Sequence, residues 1–219
     1  MKAIAAILLA ISPLVHAQSA EEIMASVRHF AVVAGDLNVG GVIKFDPVPG
    51  HLKLAPKIKE NFRFRFNEDS KQLRVLIDGN LQEVPHTKIA DLIPDTNVSY
   101  EDLAFKFLYW RNPRIVGQEK YQGRDCWRVH VENPGDAGSF REVSIWVSQN
   151  PRALMRVVGY GKRPAGVDAM PQALKQFEIS EVMKLNKANG RFTVKTMTVT
   201  SYGSENQTVG SSRIEFEKP

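Results

Sequence analysis

The chain has 219 residues, a formal net charge of +5, one cysteine, and 43% apolar against 24% charged residues. A single cysteine excludes an intramolecular disulfide, so packing must hold the fold, and the length suits one domain with a sizeable core. The basic residues are dispersed without a stripe, which argues against nucleic acid and leaves anionic lipid headgroups as the natural counter-charge.

Residues 1–17 read as a secretory signal. Lys2 precedes an apolar run from Ala3 to Val15, and Val15-His16-Ala17 fits the small-residue rule for cleavage after Ala17. That run falls well short of the ~20 residues that span hydrocarbon. Removal of Lys2 lowers the formal charge by one, to +4. Residues 18–219 are then expected as one soluble, exported domain.

Ser19 to Phe30 reads as an amphipathic helix with Ile23, Val27 and Phe30 on one side and Glu21 and Glu22 in its first turn. Most of the chain beyond Phe30 alternates with period two. "NFRFRFN" separates Phe62, Phe64 and Phe66 from Arg63 and Arg65, and "KQLRVLID" groups Leu73, Val75 and Ile77. "CWRVHVEN" groups Trp127, Val129 and Val131, and "REVSIWVS" groups Val143, Ile145 and Val147. Turn signals at 67–70, 78–80, 122–123, 133–136, 189–190 and 203–206 divide these runs. The pattern predicts a mainly β protein: roughly ten antiparallel strands in one curved sheet with a wet face and an apolar face.

One stretch breaks the alternation. In "VSYEDLAFKFLYWRNP", Ser99 and Asp102 form a capping box, Val98 and Leu103 a hydrophobic staple, and Asn112-Pro113 a stop. The pattern predicts a helix from Ser99 to Trp110, apolar almost all round and only ~18 Å long. It cannot cross a bilayer, but it can lie against the apolar face of the sheet, joined by a shorter helical stretch at Thr87–Ile93. Leu103, Phe105, Phe107, Leu108 and Trp110 would form that lid.

Catalytic signals are weak. His29, His51, His86 and His130 lack ligand-like spacing, and no G-x-S-x-G elbow occurs. Cys126, beside Trp127 in a strand, reads as a buried small hydrophobe. Glu101 and Asp102 at a helix start read as dipole and capping residues. The expectation is a protein that is not an enzyme, with no cofactor and no metal.

The order of these segments, and above all Tyr100-Glu101-Asp102-Leu103, Phe107-Leu108-Tyr109-Trp110, and Ile115-Val116-Gly117 followed by Gly123 and Trp127, resembles the LolA-like outer-membrane lipoprotein-sorting family. The resemblance implies an unclosed β-barrel with short helices as a lid over a hydrophobic cavity. It also implies a periplasmic carrier of lipids or acylated lipoproteins that meets an inner-membrane transporter, an outer-membrane receptor and, transiently, a membrane surface. On that reading Phe62, Phe64, Phe66, Val75, Trp127, Val129, Val143 and Ile145 are cavity candidates, and Arg63 and Arg65 headgroup candidates. Each of these residues also suits ordinary sheet core or a solvated strand face. The same half-barrel resembles the lipid-sensing domain of periplasmic anti-sigma regulators, so a partner-binding module and, more distantly, a hydrolase remain alternatives.

Overall fold

The computed structural model describes residues 18–31, 38–46, 58–67, 72–77, 80–135, 138–162, 171–184 and 192–217. The expected leader at 1–17 and the turns at 68–70, 78–79 and 189–190 lie outside them, as do the side chains of Phe30 and of residues 58–82. Among the described residues there are eleven strands, the quoted period-two runs among them. They are β1 (Asn38–Asp46), β2 (Ile58–Asn67), β3 (Gln72–Ile77), β4 (Asn80–Val84), β5 (Arg114–Tyr121), β6 (Arg124–Glu132), β7 (Glu142–Ser148), β8 (Leu154–Tyr160), β9 (Ala173–Lys184), β10 (Phe192–Tyr202) and β11 (Thr208–Phe216). All join one antiparallel sheet, ordered β4-β3-β2-β1-β11-β10-β9-β8-β7-β6-β5. The sheet does not close into a barrel, and β4 and β5 are its edges. Every neighbour is adjacent in sequence except β1 and β11, which zip two meanders together over Gly41–Asp46 and Ser211–Phe216.

Local chemistry accounts for the joins. Gln122 and Gly123 both take positive φ, 49° and 76°, as a two-residue hairpin turn with the right twist requires. Register shifts at Ile115/Gly117, Trp146/Val147, Gly159/Tyr160 and along β10 insert bulges, which bend and twist the sheet.

The first helix, α1 (Ala20–Ala31), lies within one residue of its expected position. Ser19 and Glu22 cap each other's amides reciprocally at 3.1 and 3.2 Å. Ile23, Met24 and Val27 are fully buried, packed with the sheet's inner face in one large cluster that also holds the connection between β4 and β5.

That connection departs from expectation. Thr87–Ile93 holds a 3-10 turn only at His86–Lys88, with a bridge between Leu92 and Ser99. Pro94 disfavours a helical Ile93, and Ile93 and Val98 instead join across a tight loop. The single helix expected from Ser99 to Trp110 is two pieces, α2 (Tyr100–Ala104) and a 3-10 tip, Lys106–Tyr109. Between them Phe105 sits in the left-handed region at φ 46°. A straight helix would place Phe105 and Phe107 about 200° apart around its axis. The break allows both rings into the same core, 5.9 Å apart and edge to face.

The outer face is drier than expected. Cys126, Trp146, Met155 and Val158 form a second buried cluster there, flanked by Tyr121, Tyr160 and Ala173. Arg156 lies 4.8 Å over Trp146 and 5.5 Å over Tyr121, while the Tyr121 hydroxyl donates to Glu178 at 2.6 Å. Burial, reinforced by Glu178, pushes the Tyr121 hydroxyl up to about 12.

Gly159 illustrates how tightly the inner face is filled. A Cβ at this position would clash with the Cγ–Cδ1–Cε1 edge of the Phe140 ring, and Phe140 is fully buried. Gly159→Ala should therefore destabilise the protein by about 1–3 kcal/mol, read as a lower urea midpoint with an unchanged slope.

Candidate functional site: a plug with a polar foot and an apolar tip

The sheet register sorts the inner face into rows. One row runs Val131, Val143, Gly159, Lys175, Ser201, Gly210. The next runs Val129, Ile145, Val157, Phe177, Val199, Ser212. Beyond it Ile179, Met197, Ile214 and Ile43 pair across β9, β10, β11 and β1. Polar side chains thus collect towards one end of the face, and the rest is apolar.

The segment 96–104 stands on the polar end. Every residue of α2 is buried. The Ser99 amide donates to Asp102 Oδ2 at 2.7 Å, the capping box read from the sequence. The same oxygen accepts from Lys175 Nζ at 2.5 Å, and the Asp102 side chain is fully buried. Asn97 donates to Val199 O at 3.1 Å and Ser201 Oγ at 2.9 Å and accepts from Ser212 Oγ. Glu101, 2% exposed, accepts from the Ser139 amide at 2.8 Å and from its hydroxyl. Burial raises the Glu101 carboxyl above the ordinary carboxylate range, partly offset by the Ser139 hydrogen bonds. Six hydrogen bonds with five residues of four distant segments fix this foot in one register.

The tip is held differently. Leu103, on α2 itself, and Phe105, Phe107, Leu108 and Trp110 beyond it range from 0 to 5% exposed. Phe107 packs 5.4 Å from Phe177 and 6.3 Å from Phe140, and Phe105 packs 6.4 Å from Phe216. A polar tie reaches the tip from α1: Arg28 Nε donates to Leu108 O at 2.5 Å, with its guanidinium 5.9 Å from the Tyr109 ring centre.

Of the candidates read from the sequence, Val129, Val143 and Ile145 lie fully buried in the same cluster as the five lid residues, and Trp127 packs half-buried against it. Phe62, Phe64 and Phe66 alternate along β2, opposite Ile77, Val75 and Leu73 of β3, with Arg63 and Arg65 between them. These belong to the other meander, and their side chains lie outside the described residues. Sequence reasoning missed Phe140, Phe177, Lys175 and Ser139. Phe177 alternates with Lys175 and Ile179 in "LKQFEIS", and that alternation was the available signal; Phe140 and Ser139 sit in a loop with none. Cys126 is fully buried, and burial raises its thiol, which suits packing rather than nucleophilic chemistry.

Breaking the foot should be expensive. Lys175→Met leaves Asp102 buried without its cation and should cost about 3–5 kcal/mol. Asp102→Asn combined with Lys175→Met should recover much of that loss, measured by urea unfolding in a double-mutant cycle.

No protein-family model matches this chain, and no curated protein sequence matches it. Solved structures do. A LolA superfamily protein from Nitrosomonas europaea superposes with a TM-score of 0.66 at 12% identity, covering 92% of each chain. A DUF1329 family protein from Desulfovibrio piger ATCC 29098 gives 0.65 at 13% identity, again over 92% of each. A putative outer membrane lipoprotein-sorting protein domain from Vibrio parahaemolyticus gives 0.59 at 11%, over 90% of this chain and 89% of that one. The open sheet with its short helices is therefore the LolA-type fold that the sequence resembles.

Proposed function

We propose that this protein is a periplasmic carrier that binds lipids or acylated lipoproteins inside its sheet, in the place its own tip occupies when empty. The observation that carries the reading is the division of the plug. Its foot is bolted by hydrogen bonds and an ion pair, whereas the side chains of Phe105, Phe107, Leu108 and Trp110 rest on apolar contacts over an apolar floor, with Arg28 tied to the Leu108 carbonyl. Leu103, Phe105, Phe107, Leu108 and Trp110 are the displaceable surface, and Val129, Val143, Ile145 and Trp127 the floor. Phe62, Phe64, Phe66 and Val75 extend that floor, and Arg63 and Arg65 meet a headgroup. Residues 1–17 serve as the export signal and 18–219 as the carrier domain. Among the described residues no helix is long and apolar enough to cross a membrane. Exchange with an inner-membrane transporter and an outer-membrane receptor, and not catalysis, is the activity proposed.

Magnitudes favour exchange over simple filling. Transfer of a 16-carbon chain from water gains on the order of 12 kcal/mol at ~0.8 kcal/mol per methylene. The side chains of Phe105, Phe107, Leu108 and Trp110, at ~1.5–3 kcal/mol each, represent on the order of 6–12 kcal/mol of burial. A single acyl chain and the tip are thus of similar size, so exchange costs less than the gross burial and can be tipped by contact with a donor or an acceptor.

N-phenyl-1-naphthylamine, a neutral apolar fluorophore, should bind the purified protein and be displaced by phospholipid, with a change in tryptophan emission. Arg28→Ala removes the tie to Leu108 without opening a cavity, and should tighten probe binding by about tenfold for each 1.4 kcal/mol taken from the tip's seating. Absence of probe binding in both proteins, with no phospholipid in an organic extract of gently purified material, would refute the carrier reading. An empty protein recovered in a stoichiometric complex would instead support a partner-binding module.

A further inference from the structure

Glu101 is the acid of α2 that the capping box leaves unused. Its carboxylate faces the segment 138–140, where Ser139 donates twice. Gly138 adopts φ 98°, and a Cβ there would collide with the Glu101 carboxylate, so backbone closes directly on the charge. The next residue, Phe140, lies edge to face with both Phe107, at 6.3 Å, and Phe177, at 6.1 Å. A continuous chain of contacts therefore runs from the tip's deepest ring, through Phe140 and Ser139, to a buried carboxylate. Withdrawal of Phe107 would remove one of the two rings against which Phe140 packs.

We propose that opening of the plug is linked to the charge on Glu101 through residues 138–140, so that acid holds the plug shut and rising pH releases it. The inference rests on the tip being displaceable. The charged groups facing Glu101 are Asp102 on its own helix and Lys175 on β9. Ser139 brings an amide and a hydroxyl, and Ile89, from the preceding turn, accepts the Glu101 amide at 2.8 Å. Lys175 is committed to Asp102 at 2.5 Å, and among the described residues Glu101 has no ion-pair partner.

The sign follows from burial. In the closed protein desolvation raises the Glu101 carboxyl; Ser139 opposes this, Asp102 adds to it and Lys175 opposes it. In the open protein, water returns the group towards its ordinary value. The closed form therefore binds the proton more tightly. Its advantage is fully present below the ordinary carboxylate range and is lost as pH rises through the raised value.

Hydrogen exchange tests the linkage without any ligand. The Leu108 amide donates to Phe105 O at 2.9 Å and the Trp110 amide to Phe107 O at 3.3 Å, so their exchange reports opening of the tip. From about pH 4.5 to about pH 8, after correction for intrinsic rates, the opening equilibrium should rise by tenfold for each pKa unit that burial adds to Glu101. Glu101→Gln should abolish the rise. Ser139→Ala removes a donor that favours the charge, so it should move the rise to higher pH, and it decides the matter if the glutamine variant fails to fold cooperatively. A pH-independent opening in the parent, or an unchanged slope in Glu101→Gln, overturns the proposal. A failure of probe binding would remove the carrier reading and leave this measurement to judge the linkage alone.

Discussion

The structure depends on where one connection has to go. β4 and β5 are consecutive in the chain, yet they occupy opposite edges of an eleven-stranded sheet. Laid flat, eleven strands at ~4.8 Å spacing would separate those edges by on the order of 48 Å. Residues 85–113 must bridge that span, and they do so across the inner face. A connection buried between strands cannot be polar throughout, because each unpaired polar group would cost a few kcal/mol. Hence the apolar residues between Leu103 and Trp110, and hence an inner core to which the chain's own crossing segment contributes alongside the strands.

How a crossing segment is fastened determines what it can do. The foot is specified by groups that have few alternatives. Asp102 needs Lys175, and Asn97 satisfies a carbonyl and two hydroxyls at once. Such a buried ion pair adds little net stability over an apolar replacement but penalises any other register strongly. The tip lacks that insistence. Its rings need an apolar neighbour, and a hydrocarbon chain meets the same need. Phe105, held at φ 46° between the two parts, carries a backbone cost of order 1–3 kcal/mol. Ring burial against Phe107 and Phe216 offsets that cost only while the tip is seated.

The sequence carried the fold in the parts where the signal is local. Period-two alternation located β2, β3, β6 and β7, and Ser99 with Asp102 marked the start of α2, because both are properties of neighbouring residues. What it could not carry was decided across long separations. The break at Phe105 occurs at an aromatic residue with no glycine to announce it, since Phe216 and Phe107 dictate where that ring goes. Glu101 and Asp102 look like ordinary first-turn acids until Ser139, 38 residues away, and Lys175, 73 residues away, fold against them. The second cluster on the outer face was hidden for a related reason. Cys126 reads from the sequence as buried, but Trp146 alternates with its inward neighbours, and only the pairing of β6, β7 and β8 shows that it too is buried on the outward side.

That outer cluster bears on how the interior can change. A sheet whose packing lay wholly on its inner side would lose its order when the occupant left. Here the strands that form the apolar floor, β6, β7 and β8, also hold one another from behind. Cys126, Trp146, Met155 and Val158 pack there, Arg156 stacks over Trp146, and the Trp146 indole N–H donates to Glu119 of β5. None of these contacts involves the plug. The wall can therefore keep its register while one apolar occupant replaces another, which is the condition an exchange mechanism places on its container.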